Sequence, residues 1–329
     1  MRLAIILATG LLAVPMLASG QGGTLHPQCA AAVTQAHDAC QKAADIFAYM
    51  APQLGGALAA NPVTPIGNFL PLTASVGAVQ GYLPDFSSIM ASPAGAQQSD
   101  FSVQQKPVPM PAITANLTLF RGIRTPMGRV GGLSAVGTLT LIPNISLADF
   151  SLAKSGNAFG GGYGAQLRAI EEGRFMPEIS IAGVQRRTPS LRLTAVTTSG
   201  DSVRADSMEV KTRTIRLEAS KHLGYLGAVV GVAQDEYDSK AVVSGSVATP
   251  LGIVESPVLS LKQEATRSNV YAGLTLGIFR ATVGQISGGD FAPTYNTFTE
   301  RSASLTGGGT PRPVGQDYKY GTFAITLNF

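Results

Sequence analysis

Long hydrophobic runs, charge, histidine and cysteine are all scarce in this 329-residue chain. Beyond the N-terminus no apolar run reaches the roughly 18 residues that a membrane-spanning helix needs, which argues against helical spans. Charged residues make up 13% of the sequence, about half the usual globular share. The formal net charge is +4, but the basic residues are dispersed, so a nucleic-acid-binding stripe is not expected. Only three histidines occur, His26, His37 and His222. None stands where a nucleophile–histidine–acid arrangement is suggested, so no enzyme and no cofactor is expected. Gly160-Gly161-Gly162 and Gly307-Gly308-Gly309 lack the strand-to-helix context of a phosphate cradle.

The N-terminus reads as a secretory signal over residues 1–20. Arg2 supplies a positive start, Leu3 to Leu17 an apolar stretch, and Ala18-Ser19-Gly20 a small-residue cleavage site. The two cysteines, Cys29 and Cys40, follow it, in a compartment that permits disulfides. On one unbroken helix they would lie about 16 Å apart. A disulfide requires Cα atoms within roughly 7 Å, so a bridge demands a turn near Thr34 to Asp38. A metal site built with His37 lacks a fourth ligand at a suitable spacing, and no metal is expected.

Residues 21–63 are rich in Ala and Gln, and from Asp38 to Leu58 a helical period runs through Ala43, Phe47, Met50, Leu54 and Leu58. Gly55-Gly56 should weaken its last turns, and Asn61-Pro62 should stop it. This predicts a periplasmic helical segment packed on the rim of the following domain, with a plug as the other reading. From Leu70 the period changes to two. Apolar and polar residues alternate over 70–78, 113–119, 133–141, 163–169, 179–183, 215–219, 226–232, 270–276, 281–283 and 323–329. The connections between these segments alternate long and short. The long ones are near 81–112, 143–160, 188–207, 237–267 and 286–318, and a soluble sandwich has no reason for such alternation. The predicted fold is all-β: an antiparallel up-and-down transmembrane barrel of about ten strands over 64–329, with eight to twelve compatible.

The chain resembles a bacterial outer-membrane β-barrel protein preceded by a short helical segment. The final strand carries the likeness: Tyr320-Gly321-Thr322-Phe323-Ala324-Ile325-Thr326-Leu327-Asn328-Phe329. By resemblance, Phe323, Ile325, Leu327 and Phe329 are the signal read by the barrel-assembly machinery. Without Trp, the interfacial girdle would use Tyr163, Tyr225, Tyr271, Phe323 and Phe329.

Strand parity places Arg168, Glu178, Arg216, Glu218 and Arg280 inside the barrel, where both signs can pair. A closed lumen with a structural or binding role is therefore expected. A narrow passive channel is the alternative, and an outer-membrane hydrolase a third reading. Asp235-Glu236 and Asp238 read as a solvated loop cluster. Arg187, Lys211 and Arg213 fall on the outward face of two consecutive strands, a candidate basic patch for lipopolysaccharide phosphates. The expected partners are thus outer-membrane lipid and the assembly machinery.

Overall fold

The computed structural model describes residues 29, 31–63, 70–84, 103–126, 128–142, 144–146, 150–156, 159–196, 200–288, 292–293, 305–307, 310–312 and 317–328. Residues 1–28, which include the expected signal, and Phe329 lie outside them. Nearly all of the described chain is antiparallel sheet. Ten strands pair in sequence order and close into a ring. They are β1 (Pro71–Pro84), β2 (Val103–Phe120), β3 (Gly128–Leu141), β4 (Phe159–Ile170) and β5 (Glu178–Arg187), followed by β6 (Ser202–Leu223), β7 (Leu226–Thr249), β8 (Leu259–Leu276), β9 (Phe279–Ser287) and β10 (Tyr318–Asn328). All ten expected segments are ring strands. The seam joins β10 to β1, with Ala74 opposite Ile325 and Val76 opposite Phe323. No strand of the ring is left with an unpaired edge, the arrangement that abolishes edge-to-edge aggregation.

One end of the ring carries tight connections, such as Gly224-Tyr225 and Gly277-Ile278; we call it the turn end. The opposite, loop end is taller than the sequence suggests. Most of 188–207 and 237–267, expected as loops, is strand: β6 begins at Ser202, β7 runs to Thr249 and β8 starts at Leu259. The period of two continues there, but its polarity inverts. Near the turn end β7 points Leu226, Ala228, Val230 and Val232 outward. Further on, the same outward face carries Gln234, Glu236, Asp238 and Lys240, while Tyr237, Ala241 and Val243 turn inward and are buried. β8 repeats this, with Val270, Ala272, Leu274 and Leu276 outward below and Lys262, Glu264 and Thr266 outward above. A search for one polarity phase therefore stops where the phase flips. The same inversion corrects the reading of the acidic cluster: Asp235 is buried in the lumen, and only Glu236 and Asp238 face outward.

At Ser207, with φ 52°, a bulge shifts the register of β6. It marks the handover between neighbours: residues 211–220 of β6 pair with β5, and residues 202–208 pair with a short strand, Leu191–Val196. Bulges commonly re-aim a strand in this way. The short strand and its partner Phe150–Lys154 continue the wall above the ring.

Among the described residues the one long helix, α1 (His37–Ala60), stands inside this wall and not on its rim. It packs mainly against β6 and β7, and also against β1, β2, β5, β8 and β10. Every helix residue whose side chain is described is buried except His37, which is half-buried. Small residues make this fit possible, because an Ala-rich helix is both a strong helix former and a slim one. Ala39 lies against Gly245, and Gly55 against the Tyr237 ring. Sixteen helix residues rise about 24 Å, which matches the roughly 26 Å spanned by the eight strand residues between those contacts. α1 thus runs from the loop end toward the turn end, antiparallel to β7.

At its start Cys29 and Cys40 are bridged, with Cα atoms 5.6 Å apart, and the turn the bridge requires is present as a 3-10 turn at Thr34–Ala36. His37 Nε2 lies 2.9 Å from the Ala32 carbonyl, and the bridged cysteines are not available as metal ligands. Asp38 in the first turn suits the helix dipole and pairs with Lys42 at 2.8 Å. Gly55 and Gly56, expected to loosen the helix, instead allow it to approach the wall.

A Cβ at Gly55 would sit 2.9 Å from Cγ of Tyr237, whereas one at Gly56 would make ordinary contact at 3.4 Å with Ile286 and Tyr318. Gly55→Ala should therefore lower stability, since overpacking costs about 1–3 kcal/mol against a helix gain of about 1 kcal/mol. Gly56→Ala should be neutral or slightly stabilising. Thermal unfolding of the two variants tests this, and equal stabilisation by both would contradict the close fit.

Candidate functional site: the filled lumen

The lumen has two layers. In the loop-end half, α1 meets an apolar wall. Phe47, Met50, Leu54 and the bridged cysteines share one core with Val203, Met208 and Val210 of β6, Val243 of β7 and Leu261 of β8. Each fully buried large aliphatic or aromatic side chain there contributes about 1.5–3 kcal/mol. This half is charged outside and apolar inside.

In the turn-end half the inner wall beneath the helix carries polar and charged residues. Arg216 carries the junction. Its Nη2 donates to the Ala59 carbonyl at 2.7 Å and its Nη1 to the Asn61 carbonyl at 3.3 Å. A cation at a helix C-terminus meets carbonyls that have no intrahelical partner and the negative end of the dipole. Asn61 completes the cap: its Nδ2 donates to the Ala57 carbonyl and its Oδ1 accepts from Ser75 Oγ, both at 3.4 Å.

The Arg216 guanidinium also lies 5.0 Å above the Tyr271 ring. Tyr271 donates its hydroxyl to Glu218 at 2.9 Å, and Glu218 accepts two further bonds from Arg280, at 3.2 and 2.8 Å. The fork of the guanidinium matches both carboxylate oxygens, the geometry that makes such pairs strong. Where the strands β4 and β5 adjoin, Arg168 Nη1 lies 3.4 Å from Glu171 and 4.0 Å from Glu178. Gln166 of β4 accepts from Asn116 at 2.7 Å and donates to Ser180 at 3.3 Å.

One rung of the barrel explains how bulky rings fit. Glu218, Gly231, Tyr271, Gly284 and Tyr320 stand opposite one another on successive strands β6 to β10. The phenol of Tyr271 lies over Gly231 and that of Tyr320 over Gly284, where any Cβ would collide with the rings. Each tyrosine leans onto its neighbour instead of blocking the lumen centre. Tyr320 then donates to Asn269 at 3.0 Å, whose Nδ2 donates to Asp235 at 3.4 Å.

All five charges expected in the lumen face inward, and the structure brings Arg216, Glu218 and Arg280 into one cluster and Arg168 and Glu178 into another. Tyr271 departs from the sequence reading. It is buried in the lumen and not part of an outer girdle, because its parity is that of Asn269 and not of Val270. Tyr163, Tyr225 and Phe323 are exposed on the outside, Ile325 is half-buried and Leu327 is exposed. Arg186 and Arg267 are inward residues that the sequence reading missed. Continuing the even-numbered series of β5 past Ala182 and Val184, and the odd-numbered series of β8 past Asn269, finds both. His222 lies at the turn end, where its Nδ1 is 2.7 Å from Glu172. Burial raises the Glu172 carboxyl, but the hydrogen bonds from His222 and the charges of His222 and Lys221 outweigh it and hold it below its ordinary value.

The basic patch is less uniform than expected. Arg187 and Lys211 are register partners on the outer surface, but Lys211 stands opposite Asp238 on its other side, and Arg213 lies 4.0 Å from Glu236. Among the described residues no group of three or more His, Cys, Asp and Glu side chains could hold a metal ion.

Arg216→Met should release the lower end of α1. Two charge-assisted hydrogen bonds are lost, at about 1.5–3 kcal/mol each. The thermal midpoint should fall by roughly 6–12 °C, and Arg216→Lys should not restore it, because one ammonium cannot reproduce the planar fork. The exposed control Arg187→Met should shift it little. Equal effects at positions 187 and 216 would remove the anchor from the account. No protein-family model, curated protein or solved structure matches the chain.

Proposed function

We propose that the protein is a bacterial outer-membrane β-barrel, sealed by its own N-terminal helix, that serves as a structural or binding scaffold and not as an open pore. One observation carries this reading. The ring is apolar outside and polar inside over its turn-end half, and there the interior is closed by the Arg216–Glu218–Arg280 cluster beneath α1. An outward apolar band with a polar interior is the pattern of a barrel in lipid. It is the reverse of the pattern a water-soluble barrel needs. The export signal and the C-terminal strand pattern support the same location.

With the short turns on the periplasmic side, as in outer-membrane barrels generally, the loop-end half stands above the membrane. α1 then begins at the cell surface and descends into the barrel, so its bridged start faces outward and not into the periplasm. The described part of that half includes the upper lengths of β6, β7 and β8 and the short strands beside β6, which together form a wall. Such a wall can present a fixed surface to a partner.

Planar-bilayer recording of the full-length protein tests the sealed state. The expected result is no steady conductance above the bare bilayer in 1 M KCl (about 3 Å screening length). Stable ohmic steps in the unmodified chain would overturn the sealed reading in favour of a passive channel.

A further inference from the structure

The outer surface of the turn-end half is not uniform. Across β6 to β10 it sinks into a groove of about 970 Å³, at the upper end of the volumes typical of small-molecule sites. Its walls are apolar: Leu217 of β6, Val230 and Val232 of β7, Val270 of β8 and Val283 of β9. Its depth has a cause in the sequence. Ala219 and Ala272 occupy two of the outward positions, where small side chains leave the surface low, and the inward-facing Gly231, Tyr271, Gly284 and Tyr320 also line it.

The loop-side edge of the groove is polar. Gln285, Ser287 and Lys319 border it, and the next outward positions on β7 and β8 are Gln234 and Ser268. Gln285 and Lys319 are register partners on β9 and β10. Asp317, the acidic neighbour on β10, accepts from Gln285 Nε2 at 2.9 Å. Lys319 is exposed and forms no ion pair among the described residues. The groove thus offers an apolar trough below and one cation above it, at the height where the outer face changes from apolar to polar.

We propose that this groove is a binding site for one molecule of phosphorylated, multiply acylated glycolipid of the outer leaflet. An acyl chain lies along Val230, Val270 and Ala272, and a phosphate meets Lys319. The match is one of charge and position: an anionic head at the polar boundary, with hydrocarbon on the side away from the loops. A zwitterionic phospholipid supplies the hydrocarbon but no net negative charge for Lys319. The site is distinct from the outward cations Arg187, Lys211 and Arg213, whose charges are interleaved with Glu236 and Asp238. It rests on the membrane reading above.

The test is native mass spectrometry of the full-length, detergent-purified protein titrated with diphosphorylated lipid A and, separately, with phosphatidylcholine. The unmodified protein should retain one lipid A, at least tenfold more tightly than phosphatidylcholine. Ala272→Trp, which fills the trough, and Lys319→Gln, which removes the cation, should each weaken lipid A retention about tenfold. Ala135→Trp on the opposite wall should leave it unchanged. Retained heat-modifiable migration confirms that each variant is folded. Unchanged retention in Ala272→Trp, or equal retention of both lipids, would overturn the site. Loss in Ala272→Trp with full retention in Lys319→Gln would overturn the phosphate assignment. A folded chain that stays soluble without detergent would instead contradict the membrane reading itself.

Discussion

The constraint on which the structure depends is that each long strand faces two different surroundings along its length. β7 presents Val230 and Val232 outward and then, without a break, Glu236 and Asp238. A sheet side chain can only point to one face or the other, so a change of surroundings must be written as a change of phase in the residue pattern. Where the outside is apolar the inside must be polar or filled, and where the outside is charged the inside must hold a core. The lumen therefore cannot be one kind of space. Its upper half needs apolar mass and its lower half needs polar partners.

α1 supplies the first need. A ring of ten strands is wider than the eight-stranded barrels whose interiors side chains alone can fill. An Ala-rich helix fits where single side chains would leave a void. The disulfide closes its start and Arg216 holds its end. Between these points, contact with the wall is as close as Gly55 and Gly245 permit. Pairing meets part of the second need, while the buried guanidinium of Arg186 makes no hydrogen bond among the described residues. Buried charge is costly unless it is partnered. Arg216, Glu218, Tyr271 and Arg280 share hydrogen bonds and ring contact in one cluster, and the glycines of the same rung make room for it.

Much of the ring was legible from the sequence because alternation is a local signal. The ten segments from Leu70 onward needed no knowledge of their neighbours, and the inward parity of Arg168, Glu178, Arg216, Glu218 and Arg280 followed from them. The upper halves of β6, β7 and β8 were not legible in the same way. There the sign of the pattern reverses, and residues such as Tyr237 and Val243 read as loop once charged outward residues were no longer expected. The placement of α1 was illegible for another reason. Its helical period predicts that it forms, but an Ala-rich surface packs equally well on a rim or in a lumen. The choice depends on Gly245, Tyr237 and Arg216, which are distant in sequence. The groove beside Lys319 was hidden likewise, since its lining residues come from five strands and run from Leu217 to Tyr320 in the sequence.

Outer polarity inverts part-way along one strand, and the proposed membrane location places lipid on one side of that boundary and water on the other. Single cysteines at Ala228, Val230, Val232, Glu236, Asp238 and Lys240, placed in the bilayer-reconstituted protein, test it directly. A membrane-impermeant thiol reagent should modify positions 236, 238 and 240 rapidly and leave 228, 230 and 232 unmodified until the bilayer is dissolved. Uniform modification along the whole outward face would contradict the account, because it would mean that the apolar band meets water and not lipid.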